Sequence, residues 1–193
     1  MRFLLLLVVS VAVATTRAEL PEPVRKLLAA ARAQIGVTKT YDPAYVVLEY
    51  PNGDVAEDRG VCTDVVIRAF RKLGLDLQKL VHEDMTRHFE KYPKRWGLKK
   101  PDKNIDHRRV PNLMKYFERQ GKSRAVSKKP EDYQPGDLVT CIVPPNLPHI
   151  MIVSDVPSLS DPARMQIIHN IGAGAQLEDC LFDFEITGLF RYW

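Results

Sequence analysis

Apolar residues recur at helical spacing through the first two-thirds of the chain and in short continuous or alternating runs through the last third. Residues 21–35 (PEPVRKLLAAARAQI) place Val24, Leu27, Leu28, Ala31 and Ile35 on one face, with Pro in the first turn and Gly36 as the stop, so they predict a helix. From Tyr41 to Tyr50 β-branched and aromatic residues predict a short strand or extended loop, ending in the turn Pro51-Asn52-Gly53-Asp54. Residues 60–74 (GVCTDVVIRAFRKLG) put Val65, Val66, Ala69, Phe70 and Leu73 on one stripe and end at Gly74. A third helix is predicted from Asp76 to about Tyr92, then an aperiodic loop (WGLKKPDKNIDHRR), then a short helix (VPNLMKYFERQG). After Pro135-Gly136 the pattern changes to strands: DLVTCIV, HIMIVSD, MQIIHNI and FEITGLFRYW. Helices followed by an antiparallel sheet predict an α+β fold, and there is no internal repeat.

The N-terminus has a different character. Met1-Arg2 precedes an apolar run from Phe3 to Val9 that resumes after Ser10 as Val11-Ala12-Val13-Ala14. It is shorter than the roughly 20 residues of a membrane span, and small residues at Ala12/Ala14 or Thr16/Ala18 offer cleavage sites. The expectation is a signal peptide over residues 1–18 and a single domain over 19–193. That domain would be periplasmic or secreted, with no stable membrane insertion once the leader is removed.

At 193 residues and 45% apolar content, the chain supports one globular core. Lys and Arg number 28 against 24 Asp and Glu, and the expected leader holds two of the basic residues, so the balance is too mild for nucleic acid. The charge is nevertheless uneven. Between Arg87 and Arg109 nine basic residues face three acids, whereas from Glu131 onward nine acids face only Arg164 and Arg191. Three cysteines, Cys62, Cys141 and Cys180, lack the C-x-x-C spacing of a zinc or redox site. In an oxidising compartment an odd count leaves one thiol to explain.

Cys62 lies in the first turn of a predicted helix, where the helix dipole and free amides favour thiolate; the alternative is an inert core cysteine. A base must come from His82, His88, His107, His149 or His169. If HIMIVSD and MQIIHNI form an antiparallel hairpin with Ser154 near Met165, paired positions sum to about 319. Position 149 then faces 170, within one residue of His169, and a one-residue slip decides which sheet face each ring takes. Asp106-His107-Arg108-Arg109 is a second cluster, suited to binding carboxylates bidentately or to forming a basic loop. Adjacent His82, Glu83 and Asp84 diverge on a helix and do not converge on a metal. Cys141 and Cys180 remain as a permitted disulfide, with Cys141 equally suited to a core strand. No cofactor is expected.

The order GVCTDVVIRAF, QPGDLVTCIV, PHIMIVSD, IIHNIGAG resembles the NlpC-type papain-like cell-wall cysteine peptidases. Those place Cys at a helix start, a PGD-led strand, His opening the next strand and a polar residue on the one after. The stretch from Tyr41 to Trp193, with LVHEDM, NIDHRRVPNL and HNIGAG, more closely resembles a periplasmic family of uncharacterised function grouped with that clan. The resemblance implies a papain-like fold with Cys62 as nucleophile, His149 as base and His169 as orienting group, acting on a peptide of peptidoglycan. It further implies that Tyr50, twelve residues before Cys62, donates to an oxyanion. With a peptidoglycan substrate rich in carboxylates, the paired arginines of the His107, Arg108 and Arg109 cluster are expected as substrate contacts on their own chemistry. A non-catalytic wall- or protein-binding module and an acyltransferase remain open on the same fold.

Overall fold

Residues 19–193 are described in the computed structural model, and the expected leader lies outside them. Val24, Leu27, Leu28 and Ala31 form the buried face of α1 (Glu22–Arg32). The helix closes earlier than its sequence pattern: Gly36 turns at φ +79°, and Ile35, beyond the last helical turn, is 40% exposed rather than buried. In α2 (Cys62–Arg71) the expected stripe is buried, and so are Ile67, Thr63 and Asp64. A helix covered on all sides is central, and α2 packs between α1, α3 (Leu77–His88) and the sheet. Asp76 caps α3 by accepting the Gln78 N–H at 3.2 Å. After a 3₁₀ turn over Asp106–Arg108, α4 (Val110–Arg119) adds Leu113 and Phe117 to the same core.

A parallel pair, β1 (Thr40–Tyr41) with β2 (Arg59–Gly60), fastens the loop before α2. The main sheet runs in the order β3-β8-β4-β5-β6-β7, with β3 (Ser123–Arg124), β4 (Leu138–Val143), β5 (Leu147–Pro157), β6 (Met165–Asn170), β7 (Ala175–Glu178) and β8 (Glu185–Phe190), all antiparallel. The sequence pattern misses β7, which follows the bend at Gly172 and Gly174 and pairs with β6. The overall architecture is α+β.

Strand alternation separates two cores. Leu138, Ile150, Ile152 and Ile168 face the helices with Cys62, Phe70 and Phe117, whereas Val139, Cys141, Met151, Val153 and Ile167 face a smaller cluster with Tyr133, Leu181 and Leu189. Ile152 pairs with Ile168 and Val153 with Ile167, so paired positions sum to 320 rather than 319. His149 therefore stands opposite residue 171, and His169 is its diagonal neighbour on the same face. All three cysteines carry free thiols.

Candidate functional site

Four chain segments meet at the start of α2. Val61 N–H donates to Asp64 Oδ2 at 2.7 Å, and Asp64 accepts from Arg108 Nε at 3.0 Å and Nη2 at 2.9 Å. Arg108 also donates to the carbonyls of Asp42 and Ala44, both at 3.1 Å, while Thr63 Oγ1 donates to the Arg108 carbonyl. From the sheet, Asn170 Nδ2 donates to the Gly60 carbonyl at 3.0 Å. The position of Cys62 is thus set by β6, the 3₁₀ turn and the Asp42–Ala44 loop together. This alters the expectation for Arg108: its side chain is 2% exposed and its guanidinium is used internally.

The thiol itself is buried, at 3% exposure. Burial pushes its pKa up to about 11, against the pull of the Ile150, Thr63 and Cys62 backbone N–H groups. The lowered pKa expected from the helix start is therefore overturned: desolvation of thiolate outweighs the amides. Tyr41 lines the same cleft as Cys62, and burial pushes its pKa up to about 12. Its place follows from the β1–β2 pair, which sets Tyr41 opposite Gly60. Tyr50, expected near the thiol, instead lies with its ring 5.3 Å from that of His82. Tyr41 is the tyrosine at the thiol.

His149 Nε2 is 2.9 Å from His169 Nδ1, with ring centroids 5.0 Å apart at 77°. His169 Nε2 in turn lies 2.5 Å from Glu178 Oε2 on β7. Burial, then His169, drives the His149 pKa down to about 3; burial also lowers that of His169, opposed by Glu178. The hydrogen bonds of this chain run from His149 outward to Glu178, and among the described residues none joins either imidazole to the Cys62 sulfur. The register sets both rings on the sheet face of Cys141, Met151 and Ile167, whereas the thiol, on the helix side, meets β5 through the Ile150 N–H, so the expected contact of His149 with Cys62 is not made. Ladder pairs between β5 and β6 extend no nearer to His149 than Ile152, so the thiol sits where the two strands part. Cys141, the direct partner of His149, is close enough for Cys62 to raise its thiol pKa, although burial is the larger cause.

A cleft of about 180 Å³ opens beside Cys62, lined among others by Tyr41, Trp96, Arg108, Arg109 and Pro148. Arg109 stacks with its guanidinium carbon 4.1 Å from the Trp96 ring centre and pairs with Asp106 at 3.2 Å. Of the expected basic cluster, Arg109 is the member whose charge is set at this cleft. His107 is not: it is 2% exposed, its Nδ1 lacks a partner, and burial followed by Arg71 drives its pKa down to about 3.

Residues 28–192 match the family model described as a domain of unknown function, DUF1287. The chain belongs to that family. It is similar to the uncharacterised protein YijF of Escherichia coli (strain K12), at 56% identity over 163 residues, which cover 84% of this chain and 78% of YijF. The family match spans Tyr41, Cys62, His149, His169 and Glu178, so the candidate site lies inside the family domain.

Proposed function

We propose that the protein is an exported cysteine hydrolase with an NlpC-type papain-like fold, cleaving an amide bond in the stem peptides of peptidoglycan. The observation that carries this reading is Cys62 as first residue of α2, its thiol reached by the Ile150 N–H, with a hydrogen-bonded chain of His149, His169 and Glu178 on the other face of the same sheet. On this reading His149 turns past the parted ends of β5 and β6 to meet the thiol. An ionised carboxylate only accepts, so His169 Nε2 holds its proton toward Glu178. His169 Nδ1 is then the acceptor for His149 Nε2–H, and the lone pair of neutral His149 is left on Nδ1.

The chemistry follows from these roles. As the Cys62 sulfur bonds to the amide carbon, His149 Nδ1 takes the thiol proton. The carbonyl oxygen, now anionic, is met by the Cys62 backbone N–H and the Tyr41 hydroxyl. On collapse the C–N bond breaks, His149 returns the proton to the leaving amine, and water then attacks the thioester by the same route. Burial keeps thiol and imidazole neutral at rest, so the proton moves during attack rather than before it. Arg109, at the mouth of the cleft, suits the carboxylates of stem peptides.

The test is incubation of purified sacculi with the mature protein and with Cys62→Ala, followed by mass analysis of released fragments. Fragments from the wild type alone support the reading. Equal release by both overturns the nucleophile assignment. A wall-binding module is the second reading, favoured by the buried, neutral thiol, and would show co-sedimentation with sacculi without release. An added amine captured in the product would mark an acyltransferase.

A further inference from the structure

At the outer end of the histidine chain, three different metal-ligating groups converge. A ring nitrogen of His169, a carboxylate oxygen of Glu178 and the sulfur of Cys180 all lie within 4.8 Å of one another. The backbone accounts for the convergence. Glu178 sits diagonal to His169 across the β6–β7 pair, and Cys180, two residues beyond Glu178, leaves the strand end on the same side. His169 is held in place by His149 at its other nitrogen, while Glu178 is 39% exposed and opens the cluster to solvent.

We propose that His169, Glu178 and Cys180 bind a zinc-class divalent cation, and that the cation switches the hydrolase off by inverting the tautomer of His149; the switch rests on the functional reading above. Nitrogen, carboxylate and thiolate ligands suit a borderline-soft ion. Ligand bonds of about 2.0–2.3 Å set tetrahedral ligands about 3.3–3.6 Å apart, so the His169 Nε2–Glu178 Oε2 pair, at 2.5 Å, opens by about 1 Å as the ion enters between them, with the Cys180 sulfur, within 4.8 Å, as the third ligand. A fourth position remains open to water or a substrate carboxylate.

The proton bookkeeping is closed. Without the cation, His169 carries its proton on Nε2 toward Glu178, and the basic lone pair of His149 is on Nδ1. Binding places the His169 Nε2 lone pair on the ion and releases the Cys180 thiol proton to solvent. The His169 proton now resides on Nδ1 and donates to His149 Nε2, whose own proton moves to Nδ1. Each ring keeps one proton, but His149 Nδ1 can no longer accept one from Cys62. A cation here therefore blocks catalysis without touching the cleft.

The mature full-length protein, stripped with chelator, is titrated with cobalt(II) and read by thiolate-to-cobalt charge-transfer absorption. The expected result is a band that saturates at about one ion per chain, persists in Cys62→Ala and is lost in Cys180→Ser. No band, or a band that survives Cys180→Ser, overturns the site. Side-chain ¹⁵N spectra of the histidines test the switch without any turnover assay: zinc exchanges the protonated and bare nitrogens of His149 in the wild type and not in Cys180→Ser, and unchanged His149 signals overturn it. With sacculi, zinc lowers fragment release at least about tenfold in the wild type, and Cys180→Ser, as active as wild type without metal, escapes. Undiminished wild-type release with zinc bound overturns the switch. A cobalt band with the histidine exchange but no release under any condition leaves the site standing and rejects the hydrolase reading instead.

Discussion

His149 Nε2 and His169 Nδ1 stand 2.9 Å apart although the two residues are not direct cross-strand partners. They are diagonal neighbours on one face of the β5–β6 pair, a separation that ring-bearing side chains span. The second bond, from His169 to Glu178, gives the pair a direction.

Glu178→Gln tests that direction. The amide can donate to His169 Nε2 and favour the opposite tautomer, so kcat on released fragments should fall about 10- to 100-fold, less than the roughly 10⁴ seen when a carboxylate directly behind a catalytic histidine is lost. KM should change little, and Glu178→Asp should recover part of the rate. Wild-type kcat in Glu178→Gln removes Glu178 from the chain.

Asp64 and Arg108 form a buried ion pair whose partners are only 4% and 2% exposed. Asp64→Ala leaves the Arg108 charge unpaired and also removes the acceptor of Val61 N–H, so denaturant unfolding should show a loss of about 3–5 kcal/mol. The double variant Asp64→Ala/Arg108→Met should be more stable than Asp64→Ala alone. An unchanged midpoint in Asp64→Ala would show that the pair does not hold the start of α2.

Burial lowers the pKa of both His107 and His149 to about 3. The folded state thus keeps these rings neutral while the unfolded chain protonates them near pH 6.5. Their contribution to stability is fully present above about pH 6.5, is lost as pH falls toward about 3, and levels below that, at up to about 1.4 kcal/mol per pH unit for each ring. His107→Leu should flatten the curve of unfolding free energy against pH by one such share over this window. Parallel curves for wild type and variant would place His107 in water.

Gly174 turns at φ +89°, and a Cβ there would lie 2.3 Å from the Thr38 carbonyl oxygen, which accepts Ala175 N–H at 2.9 Å. Gly174→Ala should therefore cost more stability than Gly97→Ala, where φ is +67° but nothing lies within 4 Å and the cost is backbone conformation alone, about 1–2 kcal/mol. Thermal unfolding of the two variants side by side provides the comparison. Equal losses would show that the Thr38 contact adds no constraint on β7.

Local periodicity made much of the molecule legible. The stripes Val24/Leu27/Leu28/Ala31 and Val65/Val66/Ala69/Phe70 specify helices by spacing alone, and the histidine strands announce themselves by short apolar runs between turn residues. That Cys62 opens a helix, and that the two histidine strands pair, were readable for the same reason, since each depends on neighbours within one element or one hairpin; the register of the pair was not.

Other features depend on contacts between distant segments, which no local pattern encodes. The β1–β2 pair, not the interval before Cys62, brings Tyr41 to the thiol in place of Tyr50. Asp64 and Arg108, far apart along the chain, claim one another at the core and remove Arg108 from ligand binding. Glu178 joins the histidines because Gly172 and Gly174 turn the chain back to form β7, a strand too short and mixed to stand out. The register sum of 320 rather than 319 put both imidazoles on one sheet face, since a one-residue slip inverts every side chain. Burial likewise reversed the expected direction of the Cys62 pKa: the helix start is local, whereas the strands and helices that exclude water from the thiol come from the whole fold.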